Sequence, residues 1–211
     1  MHEKIAQYCI QNLNLDDAEL SEEYFYASLP FCIIDAVYSL GVRYSSTRNT
    51  VIHFCDIKGL QRLRLKESPF LDISQQYSVH QFDDLLSHYD DYKQIAVELF
   101  NNKQRTSSRN GILKAEAVHK FARVLLKYNV NYFQDISKVI YDLNFENDIC
   151  LIPGQTYGTA LTYFFMLAGD DNKVKPDRMI YSFLVTTQVF FFQQEKNFAI
   201  NLRGYILHIS S

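Results

Sequence analysis

The residues best suited to chemistry surround a Pro-Gly pair late in the chain. The run Cys150-Leu151-Ile152-Pro153-Gly154-Gln155-Thr156-Tyr157-Gly158-Thr159-Ala160 predicts a helix that ends near Leu151, a tight turn, and an apolar helix that begins at Thr156 or Tyr157. The first amides of that second helix have no partner within it and point outward from its positive end. The turn therefore predicts a phosphate site, although an ordinary αα-hairpin shows the same pattern.

A carboxylate and a polar turn complete the set of candidate groups. Asp177 follows a proline shortly after the second apolar helix, where an aspartate either caps the next helix or supplies a fixed negative charge. Residues 103–111 form a turn rich in hydrogen-bond donors, among them Arg105 and Arg109. Donors of this kind are typical of contacts to phosphate oxygens.

Basic residues are concentrated in two segments, although the whole chain has a formal net charge of -3. Residues 41–66 carry six Lys or Arg against Asp56 alone, and residues 101–127 carry seven against Glu116 alone. If the two segments meet on one face, that face attracts a polyanion. The alternative is a solvated surface with an uneven distribution of charge.

Helical periodicity dominates the chain and predicts an all-α fold, with residues 1–211 as one globular unit. Ser28 and Ser78 are placed as N-caps of two helices with buried faces. After Asn110-Gly111, apolar residues on one stripe predict an amphipathic helix whose opposite face is basic. The apolar stripe contains Ala115, Val118, Ala122 and Leu125, and the basic face contains Lys120, Arg123 and Lys127. Further helices are predicted over residues 47–58, 92–100 and 131–143, and around the apolar residues 190–192.

Composition indicates a globular protein, because 47% of the residues are hydrophobic and 21% are charged. The first residues carry no apolar signal core, and no apolar run approaches the ~20 residues of a membrane helix. We therefore expect a cytoplasmic protein, associated with the nucleoid or, in a eukaryote, nuclear. The four widely spaced cysteines predict reduced, mostly buried thiols rather than a zinc site or a disulfide framework: Cys9, Cys32, Cys55 and Cys150.

The Pro-Gly run resembles the hairpin of the helix-hairpin-helix DNA glycosylase superfamily, whose motif reads roughly Leu-Pro-Gly-Val-Gly-x-Lys-Thr-Ala. The residues that match it in register are Ile152, Pro153, Gly154, Thr159 and Ala160. An aspartate follows the second helix in that family after a short loop, and Asp177 lies at a nearly matching distance. The likeness covers most of residues 28–187, strongly near the hairpin and weakly before residue 100.

The resemblance implies a glycosylase-like helical fold, with room for two lobes and a cleft, and duplex DNA as the partner. We expect a monomer. It implies a monofunctional DNA glycosylase in which Asp177 stabilises the sugar cation as a flipped, damaged or modified base leaves. Tyr38 and Tyr44 are candidates for the base pocket, because a flipped base needs a flat apolar surface. The implied DNA contacts are Gly154, Gln155, Thr156, Tyr157, Gly158, Arg105, Arg109 and Lys114.

The resemblance also implies a cation at the hairpin. The main-chain carbonyls of Cys150, Ile152 and Gln155 would hold K⁺ or Na⁺ and so present positive charge to a phosphate. No other cofactor is expected. Some relatives carry a four-cysteine iron–sulfur cluster near the C-terminus, but this chain has no cysteine after Cys150.

The departures from the family pattern limit the chemistry. Gly158 occupies the position of the lysine that strand-cleaving members use, so no amine is available there for a Schiff base. Thr156 replaces the second glycine of the hairpin. Leu40-Gly41 stands where many relatives carry a glutamine pair that probes the duplex. We therefore expect no lyase activity, and no residue is assigned as the duplex wedge.

Two other functions stay open. A DNA-binding or accessory protein of the same fold that performs no chemistry fits the missing lysine and the altered hairpin, whereas Asp177 in the family's place favours the enzyme. An all-α interaction module unrelated to DNA is the third reading. An aromatic pocket that reaches Asp177 distinguishes the enzyme from the binding protein.

Overall fold

The computed structural model describes most of the chain before residue 176. The described positions are residues 2–13, 20–66, 68–170 and 172–175, with residues 180, 182, 183 and 185. They contain helices and no β-strand, which confirms the predicted all-α class; isolated β-bridges pair Tyr26 with Leu63 and Arg105 with Leu113. No helix in this part of the chain is long and apolar enough to cross a bilayer. The helix predicted around residues 190–192 lies outside the described residues.

The chain divides into two compact units. The first comprises residues 1–21 and 175–211; it contains helix α1 (His2–Asn12), whose Tyr8 ring meets the Phe183 ring edge-on, with centroids 5.7 Å apart. The second comprises residues 22–174. Its α-helices are α2 (Leu29–Tyr38), α3 (Tyr44–Lys58), α4 (Val79–Ser87), α5 (Tyr92–Gln94), α6 (Lys114–Lys127), α7 (Leu143–Cys150) and α8 (Thr159–Leu167).

Local sequence signals place several of these helices where they were predicted. Ser78 caps α4 in a reciprocal capping box: its hydroxyl accepts the Gln81 amide at 3.1 Å, and the Gln81 side chain accepts the Ser78 amide at 2.8 Å. Ser28 is the N-cap of α2, but its hydroxyl accepts the Tyr77 amide instead. The predicted apolar stripe of α6 is fully buried.

Three predicted helices have different bounds or types. The helix expected over residues 47–58 begins earlier, at Tyr44. The helix expected over residues 92–100 is one α-turn, α5, followed by a π-helical turn at Ile95–Leu99. Residues 131–143 contain a 3₁₀ helix, Phe133–Lys138, and the first residue of α7 rather than one α-helix. The Asp135 carboxylate caps the 3₁₀ helix by accepting the amides of Asn131 and Tyr132.

Helix α2 is the centre of the second unit, since all ten of its residues are buried. It packs against α3, α4, α6 and α8. A helix that is covered on every side needs internal partners for its polar groups. Its one charged residue, Asp35, receives the hydroxyl of Tyr26 at 2.8 Å and that of Tyr163 at 3.3 Å, both on Oδ2.

The phenols around Asp35 remain protonated donors. Burial, followed by the negative charge of Asp35, raises the pKa of Tyr26 and the pKa of Tyr163. The predicted base-pocket residue Tyr44 belongs to the same group: its half-buried ring lies 5.6 Å from the Tyr24 ring. Burial and then Asp35 raise the pKa of Tyr44 as well. The group of tyrosines therefore surrounds a buried carboxylate.

The cysteines are all free thiols, but only half of them are buried as expected. Cys32 and Cys55 lie in the core, whereas Cys9 and Cys150 are partly exposed. Burial raises the pKa of Cys55 to about 12, so this thiol is protonated and unreactive at neutral pH.

Replacing Asp35 tests the role of the buried carboxylate. We expect Asp35→Ala to lower the free energy of unfolding by about 4 kcal/mol, because it leaves two buried phenols without their acceptor. Tyr163→Phe removes only the longer hydrogen bond and should cost about 1 kcal/mol. Denaturant unfolding of the full chain measures both values, and an Asp35→Ala cost no larger than that of Tyr163→Phe would contradict this role.

Candidate nucleic-acid interface

The segment before α6 folds into a closed loop, residues 102–113, which we call the basic loop. Two main-chain hydrogen bonds close it: the Thr106 amide donates to the Ile112 carbonyl at 2.9 Å, and the Lys114 amide donates to the Gln104 carbonyl at 2.8 Å. These bonds bring the two ends of the loop together. The polar turn predicted over residues 103–111 is therefore a defined element.

Side-chain hydrogen bonds attach the base of this loop to helix α3. The Asn102 amide nitrogen donates to the Thr50 hydroxyl at 2.8 Å. The Gln104 amide nitrogen donates to the Ser46 hydroxyl at 3.1 Å. The attachment brings the start of the second basic segment against the start of α3, which belongs to the first.

Lys114 does not contact solvent, and its prediction as a DNA contact is wrong. Its side chain is 2% exposed. The ammonium donates to the carbonyls of Tyr38 and Leu40, each at 2.8 Å, and to Oε1 of Gln104 at 3.2 Å. Carbonyls at a helix C-terminus lack partners within the helix and attract a cation. Lys114 therefore holds the end of α2 to the start of α6.

The exposed cations of the loop form no ion pair with the acidic residues that the structure describes. Lys103, Arg105 and Arg109 on the loop, and Arg43 at the N-cap of α3, are exposed and form no ion pair with a carboxylate of residues 20–66, 68–170 or 172–175. Arg105 also donates to the Gly111 carbonyl at 2.7 Å, which fixes its direction. The loop therefore carries positive charge that is available to a ligand.

The basic face of α6 behaves differently, because acidic side chains neutralise each of its cations. The pairs are Lys120–Glu116 at 2.7 Å, Arg123–Asp83 at 3.1 Å and Lys127–Asp148 at 2.6 Å. Hydrogen bonds from Lys127 and then Tyr128 lower the pKa of Asp148, so that this acid is charged at neutral pH. This face of α6 is a salt-bridged surface rather than a site for a polyanion.

The Pro-Gly run connects α7 and α8, and we call residues 151–158 the hairpin turn. Helix α7 ends at Cys150 with Leu151 as its C-cap, as predicted. Helix α8 begins at Thr159, later than predicted, because Gly158 is its N-cap with a left-handed φ of 68°. A residue in that conformation cannot continue a right-handed helix.

Some main-chain amides that were expected to bind phosphate donate to carbonyls within the turn. The Gln155 amide donates to the Ile152 carbonyl and the Gly158 amide to the Gln155 carbonyl, both at 2.9 Å. The Gln155 side chain is 2% exposed, and neither polar atom of its amide has a partner among the described residues. The Gly158 amide, which was predicted to donate to a phosphate, is therefore used within the turn, and Gln155, which was predicted as a DNA contact, has a buried side chain. Thr156 and Tyr157 are exposed.

The hairpin turn and the basic loop are in direct contact. Gly154 has a φ of 90°, and a Cβ added to it would lie 2.3 Å from the Cβ of Thr106. Real Cβ atoms do not approach so closely, so only glycine allows the turn to reach the loop. The contact joins the hairpin turn to the basic loop at Thr106, the residue that follows exposed Arg105 in the chain.

Two of the carbonyls predicted to bind a cation also accept hydrogen bonds within the turn. The carbonyls of Ile152 and Gln155 each accept a main-chain amide, so each retains one lone pair for a cation. A K⁺ or Na⁺ ion held with the Cys150 carbonyl therefore stays a prediction. Within the described part of the chain, no group of three or more His, Cys, Asp or Glu residues could hold a metal ion.

Tyr38 and Asp177 are the remaining site residues predicted from the sequence. Tyr38 is a core residue: its ring packs 5.4 Å from that of Phe100 and its hydroxyl donates to the Asn102 carbonyl. With no exposed surface, Tyr38 cannot stack on a base, and its assignment to the base pocket is wrong. Asp177 lies outside the described residues.

Nothing in the sequence pointed specifically to Thr106 or Leu151. Thr106 was only one of several polar residues in the turn, and its role as the partner of Gly154 depends on tertiary contact. Leu151 was predicted only as the approximate end of a helix, and it is 79% exposed. An apolar residue directly after a helix end and before a Pro-Gly pair is the one signal that could have identified it.

Comparison with known proteins returned one family and no individual relative. A family model described as a domain of unknown function (DUF8548) matches residues 3–202, nearly the whole chain. Neither a curated protein nor a solved structure matches.

Alanine substitution at the two hairpin glycines tests the contact with the loop. Gly154→Ala places a side chain on a left-handed backbone and makes its new Cβ overlap with Thr106. Gly158→Ala causes the backbone strain without an overlap, because the nearest atom to its new Cβ, the Cys150 sulfur, is 4.0 Å away. We expect Gly154→Ala to cost about 2 kcal/mol more stability than Gly158→Ala. Thermal and denaturant unfolding measure this difference.

A double-mutant cycle assigns the difference to the named pair. Thr106→Gly removes the overlapping Cβ, so Gly154→Ala/Thr106→Gly should lose less stability than the sum of the two single variants. If the stability losses of the two single variants add up in the double variant, the Cβ that Gly154→Ala adds does not overlap with Thr106.

Proposed function

We propose that this chain, which belongs to the DUF8548 family, binds duplex DNA through the basic loop and the hairpin turn and releases a damaged or modified base as a monofunctional DNA glycosylase. The observation that carries the proposal is the contact between Gly154 and Thr106, which joins an exposed cationic loop to a turn between two helices. The resemblance of the hairpin run to the helix-hairpin-helix glycosylases supplies the class of partner.

The charges of this surface support a phosphate backbone as the ligand. Arg105, Arg109 and Lys103 are exposed and form no ion pair with any acidic residue in the described part of the chain. The main chain at Thr156 and Tyr157 adds amide donors from an exposed turn. Arginine side chains and main-chain amides are the usual donors to DNA phosphates. Binding of this kind depends on phosphate neutralisation rather than on base sequence, so its affinity falls as salt rises.

The proposed chemistry is hydrolysis of the N-glycosidic bond. The bond between C1′ and the base breaks and its electron pair leaves with the base. Water adds to C1′, and the proton that it loses neutralises the departing base. A carboxylate stabilises the positive charge that develops on the sugar and orients the water, and Asp177 has this role in our proposal. Gly158 offers no amine, so the enzyme would leave an intact abasic strand.

The second candidate is a DNA-binding protein without enzymatic activity. The burial of Tyr38 favours it, because that residue was one of two candidates for stacking on a flipped base. The other, Tyr44, lies among tyrosines that surround a buried carboxylate. Base release from a panel of modified duplexes separates the two functions.

Charge substitutions test the binding surface. We expect Arg105→Gln/Arg109→Gln to weaken binding to a random-sequence duplex at least about tenfold at low salt and to reduce the slope of log affinity against log salt by about 2. The matched control, Lys120→Gln/Lys127→Gln, removes the same charge from ion-paired positions and should change affinity less than about threefold. Fluorescence anisotropy measures both, and equal losses in the two variants would refute the assignment of the surface.

Replacement of Asp177 tests the chemistry. Asp177→Asn retains the shape and the helix-capping oxygen but removes the charge, so stability should change by no more than about 1 kcal/mol. Base release from a substrate duplex should fall by at least about 100-fold, while DNA affinity holds or rises slightly because a repulsive charge is lost. Alkaline cleavage of abasic strands gives the rate, and full activity in Asp177→Asn would assign Asp177 to capping alone.

A further inference from the structure

A cluster of four polar side chains joins helix α4 to helix α6. At its centre is His119 of α6, which is only 3% exposed. Its Nε2 atom lies 2.8 Å from Oδ1 of Asp83 and 3.4 Å from the hydroxyl oxygen of Ser87, both on α4. Arg123, one turn further along α6, donates to the same Asp83 oxygen at 3.1 Å and to the Ser87 hydroxyl at 3.3 Å. We call these four residues the histidine cluster.

The contact with Asp83 determines which nitrogen of His119 carries the proton. A carboxylate oxygen accepts hydrogen bonds, so Nε2 is the donor and Nδ1 of the neutral ring has a free lone pair. Nδ1 is buried and has no hydrogen-bond partner among the described residues. A second proton would bind at Nδ1 and create a buried, charged N–H without an acceptor, which is costly. The geometry therefore fits a neutral ring.

The same geometry excludes nucleophilic catalysis by Ser87. In a Ser-His-Asp triad the serine and the carboxylate bind opposite nitrogens of the imidazole, whereas in this cluster both lie at Nε2. Because Nε2 already donates its proton to Asp83, His119 cannot accept the hydroxyl proton of Ser87 there. The cluster therefore acts through its state of charge and not through covalent chemistry.

The surroundings of His119 also favour the neutral ring. Burial, followed by the positive charge of Arg123, lowers the pKa of His119 below its ordinary value of 6.5, against the opposing effect of Asp83. Helix α5 contributes the ring of Tyr92, edge-on at 5.8 Å. Of the other charged groups on α6 and the elements packed against it, Asp35 binds Tyr26 and Tyr163, Glu116 pairs with Lys120, Asp148 pairs with Lys127, and His80, Asp84, His88, Lys93 and Glu98 are exposed.

We propose that the histidine cluster is an acid-sensitive latch, in which protonation of His119 releases the C-terminal half of α4 from α6. A charged ring must leave its buried position to reach water, and Asp83 and Ser87 then lose it as a partner. The start of α4 stays attached, because Asn131 accepts the amides of Val79 and His80 there. The latch does not depend on DNA binding and so goes beyond the proposed function.

The direction of the pH effect follows from the lowered pKa of His119. The unfolded chain takes up the proton at a higher pH than the folded chain does. The stability that the neutral ring contributes is therefore complete above about pH 6.5, and it is lost as the pH falls through the pKa of the folded state. Acid opens the latch, and neutral pH closes it.

NMR of the imidazole nitrogens tests the geometry in the full wild-type chain, with His119 assigned through correlations within its own ring. At about pH 7.5 we expect the tautomer that carries its proton on Nε2. The midpoint of its titration should lie below 6.5. A ring protonated on Nδ1 alone at this pH, or a midpoint at or above 6.5, overturns the latch.

Unfolding and amide exchange at two pH values test the release. From about pH 7.5 to about pH 5.5, the unfolding equilibrium constant of the wild type should rise at least about threefold more than that of His119→Gln, which retains a donor for Asp83 but does not titrate. Residues 82–88 of the wild type should lose protection from exchange over this range, after correction for the intrinsic effect of pH, whereas those of His119→Gln should keep it.

The matched control is His80→Gln, which removes an exposed histidine from the same helix. Its pH dependence should equal that of the wild type. The latch is overturned if His119→Gln and the wild type show equal pH dependence of unfolding, if His80→Gln removes as much of it as His119→Gln does, or if residues 82–88 of the wild type keep their protection at the lower pH.

Discussion

Helix α2 is buried on every side, and the polar groups that it carries must therefore find partners inside the protein. Tyr26 and Tyr163 satisfy Asp35 in its middle. Lys114 satisfies the carbonyls at its C-terminal end, including that of Leu40. An unpaired buried ammonium or carboxylate would destabilise the fold by several kcal/mol, so these contacts fix the elements that supply them.

The position of Lys114 determines the geometry of the interface. Its ammonium holds the first residue of α6 at the end of α2, and its amide closes the basic loop through the Gln104 carbonyl. The loop then presents Thr106 to Gly154 of the hairpin turn. Buried Lys114 thus positions the residues that our proposal assigns to DNA binding. The cations of α6 have a separate role, because acids of α4, α6 and α7 pair with them.

Local patterns in the sequence predicted those parts of the fold that depend on neighbours along the chain. The capping box at Ser78, the buried stripe of α6 and the end of α7 follow from periodicity and cap residues. Lys114 could not be predicted, because its acceptors at the end of α2 are about 75 residues away in sequence. The later start of α8 depends on the left-handed backbone of Gly158, a conformation that the residue type permits but does not require.

At the candidate site too, the sequence predicted residue types and turns but not burial or contacts between distant segments. Residue types identified the turn, the loop cations and Asp177. They could not show that Gln155 and Tyr38 are buried, that Thr106 contacts Gly154 or that Leu151 is exposed. Burial of a polar side chain is decided by what packs over it, and that information is tertiary. The resemblance at the hairpin run supplied the hypothesis of DNA binding.

The central claim is that the basic loop and the hairpin turn form one surface for DNA. Amide hydrogen exchange of the full chain, with and without a random-sequence duplex at low salt, tests it most directly. Our account predicts that slower exchange appears together in residues 103–111 and residues 151–158, while the salt-bridged face of α6 is unchanged. Protection confined to residues 120–127, with neither the loop nor the turn affected, would contradict it.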